Sequence, residues 1–260
     1  ILTLLLFSVA LSFGQSKKWT LEECVAYAVD NNLTIEQFEL DLETVHLEKS
    51  DAIGDFIPSL NASSTVSGNT GLSFDPTTNQ AVTTTNVTLF DGLRNIHRLN
   101  RAKLNAIASQ YRLDNLKDDI RLNVANSYLQ VLSNKESLRV FKAQYNVTQQ
   151  DLKRTKELVD AGVVPSGDLL EIEATVANQE QQIVNSENLI LISKINLAQL
   201  LQITDYENFD IADETFEIPP SEILTYTPRT IFEKAITFRN DIKFSEANIG
   251  IAEKDLQISK

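Results

Sequence analysis

From Leu93 to Asp160 the chain contains no proline and no glycine, and apolar residues recur at steps of three and four. The row runs Leu113, Leu116, Ile120, Val124, Tyr128, Val131, then Leu138, Phe141, Tyr145 and Leu152, which predicts a single helix. At the rise of an α-helix such a stretch is a rod of roughly 100 Å. A second run keeps a seven-residue beat in Leu169, Val176, Ile183, Ile190 and Leu197, the seam of a coiled-coil-like pairing. The two runs therefore predict a long antiparallel helical hairpin over residues 93–203. Its apolar seam is too narrow to make a compact core alone and has to be shared with other helices, from a repeat in the same chain or from other copies. A purely structural coiled coil carries the same pattern.

The reversal between the arms reads Gly162-Val163-Val164-Pro165-Ser166. Gly162 is suited to the left-handed conformation that closes a helix, Pro165 bars simple continuation, and Ser166 is the expected N-cap of the return helix. Asp168 and Glu171 then set negative charge against the positive end of that helix.

Upstream, Thr20 and Glu23 form a capping-box pattern ahead of Val25, Ala28 and Val29. Asn31-Asn32 loosens the helix before a second amphipathic run through Ile35, Phe38, Leu42, Val45 and Ile53, so helices are expected over residues 20–57, ended by Pro58. From Ser59 to Phe90 the period changes to two. Leu60, Ala62 and Val66 alternate with Asn61, Ser63, Thr65 and Ser67, and after Phe74-Asp75-Pro76-Thr77 a second run from Gln80 carries Val87 and Leu89. This predicts a β-hairpin over residues 59–90, with the faint amphipathicity of membrane-barrel strands. A polar loop is the competing reading, and the clean helices on either side weigh against it.

An acidic linker with Pro219-Pro220 occupies residues 204–225. Beyond it, residues 226–260 overlay the first helices in pattern: Val25 meets Phe232, Ala28 meets Ala235, Val29 meets Ile236, Ile35 meets Ile242 and Leu42 meets Ile249. A second cycle of the same elements is expected to open here, making residues 15–203 the first repeat and the chain a truncated form of a two-repeat protein.

Composition narrows the function. The net charge is −13, and no basic cluster is present to neutralise phosphates, which argues against nucleic acid as a partner. Cys24 is the single cysteine, so the sequence holds no disulfide framework and no thiolate metal site. Residues 1–14 open with ILTLLLFSVALSF, too short for a transmembrane helix and fitting the apolar region of an export signal whose basic start is clipped. The two histidines, His46 and His97, are expected on exposed helix faces. Acidic pairs such as Glu22-Glu23 and Asp118-Asp119 diverge on their helices, and no glycine-rich phosphate loop occurs, so neither an enzyme nor a cofactor is indicated.

Four local patterns in order carry a resemblance: Trp19-Thr-Leu-Glu-Glu with Ala28 and Asn31-Asn32; Ile57-Pro58-Ser59-Leu60; Leu89-Phe90-Asp91-Gly92; and Ala161-Gly162 with Ser166, Asp168-Leu169-Leu170-Glu171 and Glu173-Ala174. Together they resemble the TolC family of bacterial outer membrane efflux channels, across residues 19–260. The resemblance implies a mainly α fold with a β-hairpin. The long helical hairpin would be an element of an α-barrel tunnel in the periplasm, and the two strands part of a transmembrane β-barrel in outer membrane lipid. It further implies a homotrimer forming a passive conduit for small molecules or proteins, joined through a periplasmic adaptor (membrane fusion) protein to an inner-membrane pump. The adaptor contact would lie at the hairpin tip, Gly162, Val163, Val164, Pro165, Ser166 and Asp168, and the membrane strands would carry Leu60, Ala62, Val66, Val87 and Leu89. Val159 stands where the family often has an aromatic residue, and Pro165 stiffens the turn. The alternative reading is a periplasmic coiled-coil adaptor or structural protein, which would lack the strand pair.

Overall fold

The computed structural model describes residues 18–57, 61–67, 80–86, 93–214, 216, 221 and 225–260. In chain order the elements are β1 (Lys18–Trp19), α1 (Leu21–Asn31), α2 (Leu33–Gly54), β2 (Asn61–Ser67), β3 (Gln80–Asn86), α3 (Arg94–Asp160), α4 (Ser166–Leu200), β4 (Asp210–Ile211), α5 (Pro228–Phe238) and α6 (Asn240–Ser259). They fall into two units, residues 1–35 with 117–221 and residues 36–116 with 222–260.

The first unit is built on the hairpin of α3 and α4. Helix α3 is continuous over 67 residues, about 100 Å. Along it Leu113, Ile120, Val124, Tyr128 and Val131 are buried, and Leu138, Phe141, Tyr145 and Leu152 are half-buried. On α4 the seven-residue row is equally plain: Val176 and Leu197 are buried, Leu169, Ile183 and Ile190 half-buried. Between these lie Ser186 and Ser193, buried small polar residues whose hydroxyls donate to Gln182 O at 2.9 Å and Ile190 O at 3.0 Å. Bonding back to their own helix satisfies hydroxyls that would otherwise be costly to bury. Asn134 fixes the register by donating from Nδ2 to Ser193 Oγ at 3.1 Å.

At the hairpin root residues 209–212 of the linker are packed and paired, which its acidic composition conceals. Phe209 and Ile211 are buried, and β4 pairs in parallel with β1, Lys18 opposite Asp210 and Trp19 opposite Ile211. Ala212 N–H extends the pairing to Trp19 O at 2.8 Å. The Trp19 ring packs edge-on against Tyr27 at 5.1 Å. Helix α1 begins with the expected capping box: Glu23 N–H donates to Thr20 Oγ1 and Thr20 N–H to Glu23 Oε2. The buried face of α1 is Cys24 and Ala28.

In the second unit, α2 ends at Gly54 instead of running to Ile57, with residues 55–57 in turns; Pro58 lies outside the described residues. Asn95 Nδ2 donates to Asp55 O at 2.8 Å, and the Arg112 guanidinium sits 4.7 Å over the Phe38 ring, tying the start of α3 to α2. Helix α6 closes on the same stretch, Gly250 leaving the space that Leu104 fills and Arg101 pairing with Asp255 at 2.7 Å. Strands β2 and β3 form an antiparallel pair with Ala62 opposite Thr85 and Val66 opposite Ala81. Leu60, Val87 and Leu89 lie outside the described residues, as do residues 1–14.

The segments aligned by the internal overlay have matching ends. Helices α1 and α5 each span 11 residues, capped by Thr20 and Thr227, and each ends where a cap N–H bonds Ala28 O or Ala235 O. One residue, Asn32 or Arg239, separates each from the helix that follows.

Candidate functional site

The tip of the hairpin is defined by its helix-closing bonds. Gly162 N–H donates to Val159 O and Val163 N–H to Leu158 O, both at 2.9 Å, and Gly162 has φ +72°. This double closure needs a left-handed residue, which glycine adopts without strain. Pro165 occupies the N-cap position of α4, and its carbonyl accepts Asp168 N–H at 3.2 Å. Ser166 is thus not the cap that its residue type suggests. It is already the first helical residue, because the fixed φ of Pro165 is compatible with the extended cap conformation and displaces the start by one position. Asp168 lies in the first turn, as the charge pattern predicts.

Val163 is 67% exposed, a large apolar side chain held out at the apex, whereas Val164 is half-buried. Val164 joins Leu158, Ile172 and the polar side chains Thr155, Asp168 and Thr175 around a shallow groove between the arms. The tip thus offers a small apolar surface edged by carboxylate and hydroxyl groups.

Midway along the hairpin the seam turns polar. Tyr145 donates to Glu180 Oε1 at 2.7 Å and accepts from Gln149 Nε2 at 2.7 Å. The Glu180 hydrogen bond keeps the Tyr145 hydroxyl protonated, raising its pKa. Lys142 and Glu187 pair across the arms at 2.8 Å.

The root is held more firmly. The hydroxyl of Tyr128, itself fully buried, lies 3.0 Å from Ala212 O and 3.3 Å from both Trp19 O and Glu214 Oε2. Burial, reinforced by Glu214, pushes its pKa well above the ordinary phenol value. Lys135 Nζ reaches Ile211 O and Asp213 Oδ1 at 3.0 Å and Asp210 Oδ1 at 3.1 Å; Lys194 also reaches Asp210 Oδ1, at 3.2 Å. Burial pushes the Asp210 carboxyl up, but Lys135 and Lys194 outweigh it and hold the net pKa below the usual range. Asp213 is lowered chiefly by its Lys135 hydrogen bond. Sequence reasoning places Tyr128 in the apolar row and does not find the Lys135 clamp. The available signal is that Lys135 falls on the same face as Val131 and Leu138, an unusual place for an unpaired charge.

The histidines divide. His46 is exposed as expected, whereas His97 is half-buried and its Nδ1 is enclosed without a hydrogen-bond partner. Among the described residues no group of side chains is arranged to hold a metal ion, and no helix is long and apolar enough to cross a membrane.

The order of elements, a strand pair ahead of a helical hairpin of this length, belongs to a fold that solved outer membrane proteins share. The chain aligns with VceC, an outer membrane protein from Vibrio cholerae, at TM-score 0.73 and 16% identity, covering 92% of this chain and 58% of that one. For the CmeC outer membrane channel of Campylobacter jejuni the values are 0.71 and 15%, covering 92% and 52%. For the outer-membrane channel OprN they are 0.71 and 17%, covering 92% and 54%. The chain thus spans about half the length of the channels it matches. No curated protein matches it significantly. The profile of the outer membrane efflux protein family matches residues 27–201, and the chain belongs to that family. Its place is accordingly the bacterial outer membrane.

Proposed function

We propose that this chain forms part of a subunit of an outer membrane export channel, a passive conduit for efflux or secretion of small molecules or proteins. The observation that carries this reading is the family match over residues 27–201, within which the β2–β3 pair sits between long helices. A periplasmic adaptor would have no use for such a strand pair. In lipid every strand must find partners on both edges, so β2 and β3 require further strands from other parts of the protein or other copies to close a barrel. The subunits assemble as a homotrimer, with the helices forming a periplasmic tunnel. Ala62 and Val66, with Leu60, Val87 and Leu89, belong to the lipid-contacting strands. Residues 15–203 make the first repeat, 204–225 the connection, and 226–260 the opening of a second.

The channel has no energy source of its own in this reading and works through a periplasmic adaptor protein and an inner-membrane pump. The apolar apex at Val163, with Gly162, Val164, Pro165, Ser166 and Asp168, is the surface offered to the adaptor. The test is complementation: a strain lacking the gene should accumulate a fluorescent efflux dye, and the full-length gene should restore extrusion. Unchanged accumulation of dyes and of secreted proteins on deletion would overturn the reading.

A further inference from the structure

The chain leaves α2 for the strand pair and returns from it into α3. Asn61 stands opposite Asn86, so it enters and leaves the pair at the same end. Asn95 Nδ2, on α3, donates to Asp55 O at 2.8 Å, and Arg98 lies 3.9 Å from the Asp55 carboxylate. These contacts hold the two segments that flank the strands side by side.

Both segments carry large apolar side chains in the open. Ile53, Phe56 and Ile57 on one, and Leu93 and Ile96 on the other, are between 43% and 73% exposed. Phe56 and Ile57 lie in turns after α2, and Leu93 precedes α3, so these residues do not make the regular stripe that a neighbouring helix would cover.

Charge at this place runs against the chain as a whole. The net charge is −13, yet residues 94–103 hold Arg94, Arg98, Arg101 and Lys103 and no acid. The first turn of a helix is where its dipole disfavours a base, and α3 has no acid there to compensate. Arg101 is paired with Asp255 at 2.7 Å. Arg94 is exposed and makes no ion pair among the described residues, and one turn on, the ion pair of Arg98 is long.

We propose that these two segments form a collar in the membrane leaflet facing the periplasm, with Arg94 and Arg98 on the phosphate of an anionic phospholipid. The apolar side chains lie in the boundary between headgroups and acyl chains. The proposal rests on the reading of β2 and β3 as barrel strands, and adds where the membrane surface falls on the chain and which lipid it meets. Apolar groups beside arginines are costly in water and favoured where hydrocarbon meets phosphate. The forked guanidinium matches phosphate oxygens, and the apolar set fixes the depth. A soluble phosphate would use the arginines and leave the apolar residues exposed, so the occupant is a lipid.

The test uses the full-length protein in lipid nanodiscs, with competition between phosphatidylglycerol and phosphatidylcholine for the protein read by native mass spectrometry. Wild type should prefer phosphatidylglycerol. Arg94→Gln, which breaks no ion pair, should weaken that preference by about five-fold, Arg94→Gln with Arg98→Gln should weaken it further, and Arg94→Lys should keep most of it. In parallel, Ile57→Trp should gain fluorescence that lipids brominated near the headgroup quench. Equal affinity of wild type for the two lipids, an unchanged preference in both glutamine variants, or no added quenching would overturn the collar and leave the channel reading standing. Displacement of phosphatidylglycerol by an equal concentration of glycerol 3-phosphate would make this a soluble-phosphate site and also overturn it. A wild type that does not enter a bilayer at all would remove the barrel reading itself.

Discussion

The hydroxyl of Tyr128 lies 3.0 Å from the carbonyl oxygen of Ala212, joining the middle of α3 to the segment that follows β4. One proton faces three acceptors, and the shortest distance assigns it to Ala212 O. Tyr128→Phe should keep the aromatic packing and lose this bond, at a cost of about 1–2 kcal/mol in chemical unfolding of the full-length protein. A loss indistinguishable from zero would mean that the hydroxyl does not hold the linker.

Lys135→Met should cost about as much, since it leaves Asp210 and Asp213, which share that lysine, with one cation fewer apiece. The sign of the pH effect follows from lowered carboxylate pKa values. Their contribution is present above the unfolded pKa of about 4 and is lost as pH falls through the lower folded values. Wild type should therefore lose stability more steeply than Lys135→Met on acidification below about pH 4. Parallel pH profiles of the two proteins would contradict the clamp.

Two left-handed residues close the two arms of the hairpin and make a matched pair. Gly162 has φ +72° with open space around a would-be Cβ, so Gly162→Val should cost about 1–2 kcal/mol through the backbone alone. Gln202 has φ +59° at the end of α4, where Ile203 N–H bonds Ala198 O. Gln202→Gly should therefore stabilise, by roughly 0.5–1 kcal/mol. Thermal unfolding of the two variants should shift in opposite directions.

The long hairpin, its turn glycine and the strand pair were legible because each follows from a local rule: seven-residue spacing, an αL residue after a helix, alternation of period two. The root was not. Its clamp joins Lys18, Lys135, Lys194, Asp210 and Asp213 across long stretches of chain, and no local period announces such an arrangement. The pairing of β1 with β4 escaped for the same reason, since two residues are too few for alternation to show. At Ser166 a correct preference lost to its neighbour, because Pro165 already satisfied the geometry of the cap.

The tip separates a turn from a docking surface. Gly162→Glu in the full-length gene should abolish dye extrusion while oligomer abundance stays normal, since the backbone cost is small against the many apolar layers of the hairpin. Normal extrusion with normal oligomer would make the apex only a turn.

Fractionation of cells producing the full-length protein at native level tests the central claim most directly. If β2 and β3 belong to a closed barrel in lipid, as proposed, the protein should sediment with the outer membrane on a density gradient and resist extraction by high salt and carbonate. Recovery of the intact protein wholly in the soluble periplasmic fraction would contradict it.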